Sequence, residues 1–570
     1  MSSSSTQPTP MAHKPPLAAD TSNLVSTDSH RRWFFSALVV AVLVALPVVS
    51  VFYLSLFPSE NIWSHLAATV LPTYISTTLI LMIGVGGLSI LIGVSTAWLV
   101  TMCNFPGRKM FEWALLLPFA VPAYVIAYVY TDLLEYAGPV QGALRRFFGW
   151  SSYQDYWFPD IRTLGGAILM LALVLYPYIY MLARASFLEH SANIQAASRT
   201  LGCTAFQSFL RVSLPMARPG IAVGLSLVSM ETINDFGTVD YFAVKSLSAG
   251  IYDTWLNMSN LGGAAQIASF MLVFVVILIT LERIGRARQK QFNSSDRFKT
   301  LERFELRGWA AYFSSLTCLL PFIAGFVIPF LLLGKYAYEN FNETWSEEFL
   351  IIAGNSFLLS ATAAVAACLV GLILAYSKRL SPGRGLVGVV RFANLGYALP
   401  GAVLAIGVII PFAAFDNGVD SLMREYFGVS TGLLLSGTIF AVLFAYVVRF
   451  LAVAHGSVES SLAKITPTMD MASRSLGLNT FQTLVKVHLP LIRGGIMTGA
   501  LVVFVDCMKE LPATLILRPF NFDTLATYVY QYASDEMLEE SALGALLIVL
   551  VGLIPVILLS RSIAESQRTN

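Results

Sequence analysis

Four carboxylates stand where an apolar sequence has least room for them. Glu231 and Asp235 lie in VSMETINDFGTVDYF, and Asp506 and Glu510 lie in VVFVDCMKELPATLIL. The members of each pair are four residues apart, so on a continuous helix they share a face. At an offset of 275 residues Glu231 falls on Asp506 and Asp235 on Glu510, which makes two pseudo-symmetric pairs. An ionisable group at mid-membrane costs roughly 3 kcal/mol or more unless it faces a partner or a water-filled path. Facing inward, the four acids offer oxygen ligands or a negative lining to a hard cation. The structural alternative is that Lys509 and the nearby loops neutralise them, that they hold two halves together, or that they cap helix ends. Tyr124, Tyr128 and Tyr130 add oxygen atoms to the candidates, although aromatics at helical spacing commonly serve packing or interface anchoring. No metal site is assigned.

The elements that must position these acids are membrane helices. Of 570 residues 56% are hydrophobic and only 12% charged, and the mean hydropathy is +0.68. This composition excludes an ordinary soluble protein and gives no sign of nucleic-acid binding. About twelve runs approach the roughly 20 apolar residues that a bilayer core requires. The expected fold is all-α and polytopic, because the alternating ten-residue segments of a barrel are absent. Five scattered cysteines without a CxxC and six histidines without ligand spacing indicate neither a disulfide framework nor a zinc site. His190, His455 and His488 read as ordinary polar residues, and no Ser-His-Asp arrangement suggests covalent catalysis.

Residues 1–32 are expected to form a disordered cytoplasmic tail, rich in Ser, Thr and Pro up to His30-Arg31-Arg32. A first half, 33–281, places spans at Phe34 to Phe57, Ser76 to Val100, Trp113 to Leu134, Thr163 to Ala183, Ile221 to Phe242 and Ala264 to Leu281. A basic linker, 282–308, carries eight Arg and Lys residues from Arg283 to Arg307. A second half, 309–561, repeats the plan at Trp309 to Leu333, Gly354 to Tyr376, Leu386 to Phe412, Thr431 to Ala454, Ile496 to Leu517 and Ser541 to Ser560, before a tail at 562–570. The positive-inside bias puts both termini and the linker in the cytoplasm, so the halves are parallel six-helix repeats.

A polar segment precedes the fifth span of each half. ASRTLGCTAFQSFLRVSLPMARPGI, Ala197 to Ile221, matches ASRSLGLNTFQTLVKVHLPLIRGGI, Ala472 to Ile496. Ala197, Arg199, Gly202, Phe206, Leu214 and Pro215 correspond to Ala472, Arg474, Gly477, Phe481, Leu489 and Pro490. Glycine permits a conformation other residues resist, and proline starts or bends the following helix. The segments, about 190–221 and 465–496, are expected to carry short amphipathic helices that dock a soluble partner. The bland alternative is an anchor for the bundle.

The pattern of a glycine followed by a hydrophobic residue and Leu-Pro, at Gly202, Val212, Leu214 and Pro215 and at Gly477, Val487, Leu489 and Pro490, resembles the coupling loop of ABC importer permeases. The glutamate of that loop is absent, its positions holding Ala196 and Met471, with Gln195 and Asp470 one residue earlier. With the residues around the acids and the duplicated plan, the chain resembles fused permeases of the ferric-iron group. The resemblance implies a bacterial inner-membrane location, two copies of a separate ATPase seated on the two segments, and a periplasmic binding protein. No phosphate-binding loop of the form GxxxxGK[ST] occurs, so ATP and magnesium belong to the partner and the chain itself is not an enzyme. Thiamine, aminophosphonate, polyamine and sulfate remain alternative cargoes, and an ATP-independent secondary transporter is the alternative of another class.

Overall fold

The computed structural model describes residues 27–58, 62–189, 198, 200–289, 303–380 and 383–568. The expectations for the N-terminal tail before residue 27, for Gln195, Ala196, Ala197 and Arg199, and for linker residues 290–302 lie outside them. Among the described residues the chain is almost wholly helical. Its one ladder is a two-residue parallel pair, β1 (Cys103–Asn104) with β2 (Phe304–Glu305).

Eleven helices are long and apolar enough to cross a bilayer, and two further segments meeting at 92° make a twelfth crossing. The first half contains α1 (Thr27–Leu56), α2 (Leu71–Met102), α3 (Ala123–Leu134), α4 (Pro139–Phe148), α5 (Leu164–Glu189), α6 (Leu214–Asn234), α7 (Gly237–Tyr241) and α8 (Leu261–Gln289). The second contains α9 (Trp309–Glu339), α10 (Glu347–Leu380), α11 (Arg384–Ala393), α12 (Gly401–Phe427), α13 (Ile439–Leu462), α14 (Pro467–Ser475), α15 (Leu489–Met508), α16 (Pro512–Leu517), α17 (Leu525–Ser534) and α18 (Leu538–Arg568).

Three expectations about these helices are corrected. The expected third run of each half is interrupted, at Val121-Pro122 and at Leu399-Pro400, so that the first-half crossing is a bent pair and the second-half crossing is Gly401–Phe427 alone. A residue before proline is driven out of the helical region, and Val121 and Leu399 both adopt extended ψ values, 121° and 125°. The fifth crossings start earlier than expected, at Leu214 and Leu489, each entered through a π-helical turn, Phe209–Ser213 and Leu484–His488. A wider turn there carries the helical path into a Leu-Pro pair, whose proline has no N–H to give. These crossings also stop early, at Asn234 and Met508, instead of running to Phe242 and Leu517. Asp235 and Glu510 therefore lie beyond helix ends, and neither acid pair shares the face of one helix.

In each half the second, fourth and fifth crossings pack together, α2 and α6 on α5, and α10 and α15 on α13. The first crossings are exchanged between halves. α1 lies against α10, α11 and α12 of the second half, while α9 lies against α2, α3 and α5 of the first. Trp33 sits edge-on to Tyr376 at 5.1 Å, and Ser377 Oγ donates to the Trp33 carbonyl at 3.1 Å. On the other side Tyr130 donates to the Ala324 carbonyl at 2.8 Å and Tyr336 to Asp132 Oδ2 at 2.6 Å.

The exchange depends on close approach of backbones. A Cβ added at Gly407 of α12 would stand 2.7 Å from Pro47 Cα of α1, whereas one at Gly418 would meet nothing within 4 Å. Gly407→Val is expected to destabilise the purified protein by about 1–3 kcal/mol through overpacking, lowering its thermal midpoint in detergent. Gly418→Ala, in open space on the same helix, leaves the midpoint unchanged or raises it.

Candidate functional site

The broken ends of α6 and α15 meet between the halves around a cavity of about 140 Å³. Glu231, Asp235, Asp506 and Glu510 all line it, with Tyr124, Tyr178, Asn234, Tyr397, Arg449 and Lys509. The structure thus brings the four acids to one place by a route different from a shared helix face. Asp235 Oδ1 accepts the N–H groups of Thr238 and Val239 at 3.1 and 3.2 Å, satisfying the start of α7. Glu510 does the same for α16, accepting from Ala513 N at 3.0 Å, Thr514 N at 3.1 Å and Thr514 Oγ1 at 2.7 Å.

Charge is balanced from the second half alone. Arg449 Nη1 lies 3.0 Å from Glu510 Oε1, both residues being buried. Lys509 Nζ lies 3.0 Å from Asp506 Oδ1 and 4.6 Å from the centre of the Phe119 ring. Glu231 accepts one longer hydrogen bond, from Tyr397 across the interface between halves at 3.3 Å. Of the tyrosines, Tyr124 lines the cavity and its hydroxyl has no hydrogen-bond partner among the described residues. Tyr128 packs between Tyr124 and Tyr241, and Tyr130 serves the contact with Ala324. Arg449, Tyr178 and Tyr397 escaped the sequence reading. A lone arginine in the apolar run VVRFLAV was the available signal for the first, and nothing local marked the tyrosines.

On the side away from the polar segments, three links join the halves. Tyr530 donates to Asp240 Oδ2 at 2.6 Å, Arg162 Nη2 meets Glu536 Oε1 at 3.1 Å, and the Tyr252 hydroxyl donates to the Pro512 carbonyl. Phe236 stacks on Tyr252 with ring centres 3.6 Å apart.

The polar segments share one construction. Gly202 and Gly477 have φ of +78° and +79°, the left-handed region that favours glycine. Each is followed by a capping box in which Thr204 and Gln207, or Asn479 and Gln482, bond each other's backbone N–H groups. Ser198 and Ser208 hydroxyls lie 3.1 Å apart, as do those of Ser473 and Thr483. Phe206 and Phe481, each 67% exposed, project from this frame beside exposed Leu201 and Leu476. Ala472 is exposed on α14, Arg474 is half-buried, and Leu214, Pro215, Leu489 and Pro490 start α6 and α15.

The second segment has an additional brace. Asp470 lies 2.8 Å from Arg379 Nη2 and 2.7 Å from His488 Nε2. Burial alone raises this carboxyl, but the His488 hydrogen bond and the Arg379 guanidinium outweigh it and hold it below the usual carboxylate range. The brace is therefore in place above the ordinary aspartate pKa and is lost as pH falls through the lowered value, below about pH 4.

The acids differ in what their removal leaves behind. Glu510→Ala strands Arg449 in the interior and is expected to cost about 3–5 kcal/mol, while Glu231→Gln retains shape and costs about 1 kcal/mol or less. Thermal unfolding of the two purified variants separates them, and equal losses would contradict this division.

The sequence pattern of the family described as "Binding-protein-dependent transport system inner membrane component" matches residues 89–290 and again 367–568. Over 493 residues the chain is 23% identical to the Fe(3+)-transport system permease protein FbpB 2 of Haemophilus influenzae, covering 85% of this chain and 89% of that protein. It is 21% identical to the ferric transport system permease protein FbpB of Actinobacillus pleuropneumoniae, covering 87% and 72%. It is also 28% identical over 206 residues to the molybdenum transport system permease protein ModB of Escherichia coli, covering 34% and 86%. Permeases of this family work with ATPase and substrate-binding partners in ABC importers and are transport proteins rather than enzymes. With two copies of the pattern and twelve crossings, the chain belongs to this family as a fused, multi-pass inner-membrane permease of the binding-protein-dependent ABC type.

Proposed function

We propose that the cargo is ferric iron, handed over by a periplasmic binding protein and moved inward by two copies of a separate ATPase that bind ATP and magnesium. The observation that carries the reading is the cavity, whose lining by four carboxylates and three tyrosines makes an oxygen-rich path for a passing hard cation, while no three of the acids among the described residues form a metal-holding cluster. The ferric relatives, similar over most of the chain, agree with it. Arg449 and Lys509 are the features that favour an anion. Both, however, are engaged by Glu510 and Asp506.

In this reading the two polar segments face the cytoplasm with both termini, and each exposed phenylalanine seats one ATPase. The segments 205–234 and 480–508 are continuous helical paths of 30 and 29 residues. Phe206 is thereby joined to Glu231, and Phe481 to Asp506, through a single rod about 38 Å long. Movement of an ATPase reaches the cavity wall along that rod, and alternating access follows as one half moves against the other.

Proteoliposomes containing the chain, its copurified ATPase and the ferric-binding protein are expected to take up radiolabelled ferric iron only with ATP. Uptake of thiamine or molybdate in place of iron would replace the cargo, and uptake without the ATPase would remove the mechanism. Gly477→Val strains a left-handed position by roughly 1–2 kcal/mol and is expected to lower iron taken up per ATP hydrolysed. An unchanged ratio contradicts the seating of an ATPase there.

A further inference from the structure

A second internal repeat lies at the opposite end of the molecule. Residues 145–149 read Arg-Arg-Phe-Phe-Gly and residues 424–428 read Arg-Glu-Tyr-Phe-Gly. The first closes α4 and the second closes α12. Both helices end on a left-handed glycine, Gly149 with φ +71° and Gly428 with φ +67°. Gly149 N donates to the Arg145 carbonyl, and Gly428 N to the Arg424 carbonyl at 3.1 Å. The aromatic pairs project: Phe147 is 83% exposed, Phe148 56%, Tyr426 73% and Phe427 72%.

The length and charge of the helices that end in these tips put them at the outer ends of their spans. Gly401, at the base of α12, abuts the Arg449–Glu510 pair of the cavity, and Phe427 lies 26 residues further on, about 39 Å along the helix. Asp416 accepts the N–H groups of Leu435 and Ser436, which fixes the entry to α13 at its own height. Eleven residues, about 16 Å of helix, continue beyond that point. They include Asp420, Arg424 and Glu425, residues a bilayer core excludes. In the first half Asp132, Glu135, Arg145 and Arg146 mark the same exit. α13 runs from this end towards α14, so the tips are on the face away from Phe206 and Phe481.

Both tips are held rigid. Arg145 donates to the Tyr136 carbonyl at 2.7 Å and to the Tyr156 hydroxyl at 3.0 Å, and Trp150 stacks on Tyr156 at 4.7 Å. Asp420 accepts from Thr431 N and Ser430 Oγ at 2.8 Å and pairs with Arg424 at 2.6 Å. Rigid, exposed aromatics provide contact area at low entropic cost, the property of anchor residues at protein interfaces.

We infer that Phe147-Phe148 and Tyr426-Phe427 are the paired anchors on which the soluble binding protein docks, one on each half of the permease. A lipid surface is disfavoured by the height and charge of the supporting helices. The family depends on a soluble binding protein, and a partner bridging both tips touches both halves at once. The inference rests on the family and on the outward placement of the tips, and is independent of the cargo.

Two measurements on the full transporter in nanodiscs test it. The first compares wild type with Phe147→Ala/Phe148→Ala and Tyr426→Ala/Phe427→Ala for affinity towards the ferric-binding protein and for ATP hydrolysis. Each pair is expected to weaken binding about tenfold or more with basal hydrolysis unchanged; unaltered affinity overturns the inference. The second needs no binding protein. Phe427→Cys in a Cys203→Ser background is labelled with bimane and exposed to brominated lipids. Absence of quenching supports a tip above the membrane, and strong quenching assigns the tip to lipid and overturns the inference. A wild type that fails to engage the ferric-binding protein counts against the iron reading, while the quenching result still decides the placement of the Tyr426-Phe427 tip.

Discussion

A helix that ends inside a bilayer leaves backbone groups with no water to satisfy them. α6 and α15 both end this way beside the cavity, a short helix follows each, and the acids at the junctions satisfy the N–H groups that begin it. Asp235 accepts the first N–H groups of α7, and Glu510 those of α16. A carboxylate placed for that purpose brings a charge, and the charge brings a partner. Arg449 is buried against Glu510 for this reason, and its own burial is tolerable only because Glu510 is there. The cavity's chemistry thus begins as a solution to broken helices. Glu231 and Asp506, which sit inside their helices and cap nothing, are the acids left over from that requirement.

The exchange of first crossings explains how such a cavity stays assembled while its walls remain separable. α1 grips the second half and α9 grips the first, through aromatic and hydroxyl contacts far from the acids. In and near the cavity the contacts between halves include polar ones, Tyr397 with Glu231, Tyr252 with the Pro512 carbonyl, Tyr530 with Asp240 and Arg162 with Glu536, beside the apolar approach of Leu511 to Gly237. Polar contacts of this kind exchange readily for water when a cleft opens, whereas the packed apolar crossings do not.

Much of this was legible in the sequence. Apolar length located the crossings, and the 275-residue offset aligned the halves and identified the four acids. The breaks were not legible, because the residues after Asp235 and Glu510 remain apolar and hydropathy does not register a change of direction. Pro122 and Pro400 carry the signal for the interruptions, since a residue before proline leaves the helical region. Gln207 and Gln482 lie in the matching segments, yet their part in a capping box follows only when Thr204 and Asn479 are read with them. Arg449 was passed over because its partner lies 61 residues away and is joined to it only by the fold.

The two halves are alike in mechanics and unlike in charge. Each has an exposed phenylalanine, a left-handed glycine, a π turn into Leu-Pro and a long helix reaching the cavity. At the cavity itself Val174 occupies the place of Arg449, and Asn234 that of Lys509. Both cations therefore come from the second half, which neutralises its own Asp506 and Glu510. The wall supplied by the first half keeps Glu231 and Asp235 without a cation of its own. In the proposed mechanism two like rods act on two unlike walls. A duplicated chain can acquire that asymmetry by single substitutions in one half, which two identical subunits cannot.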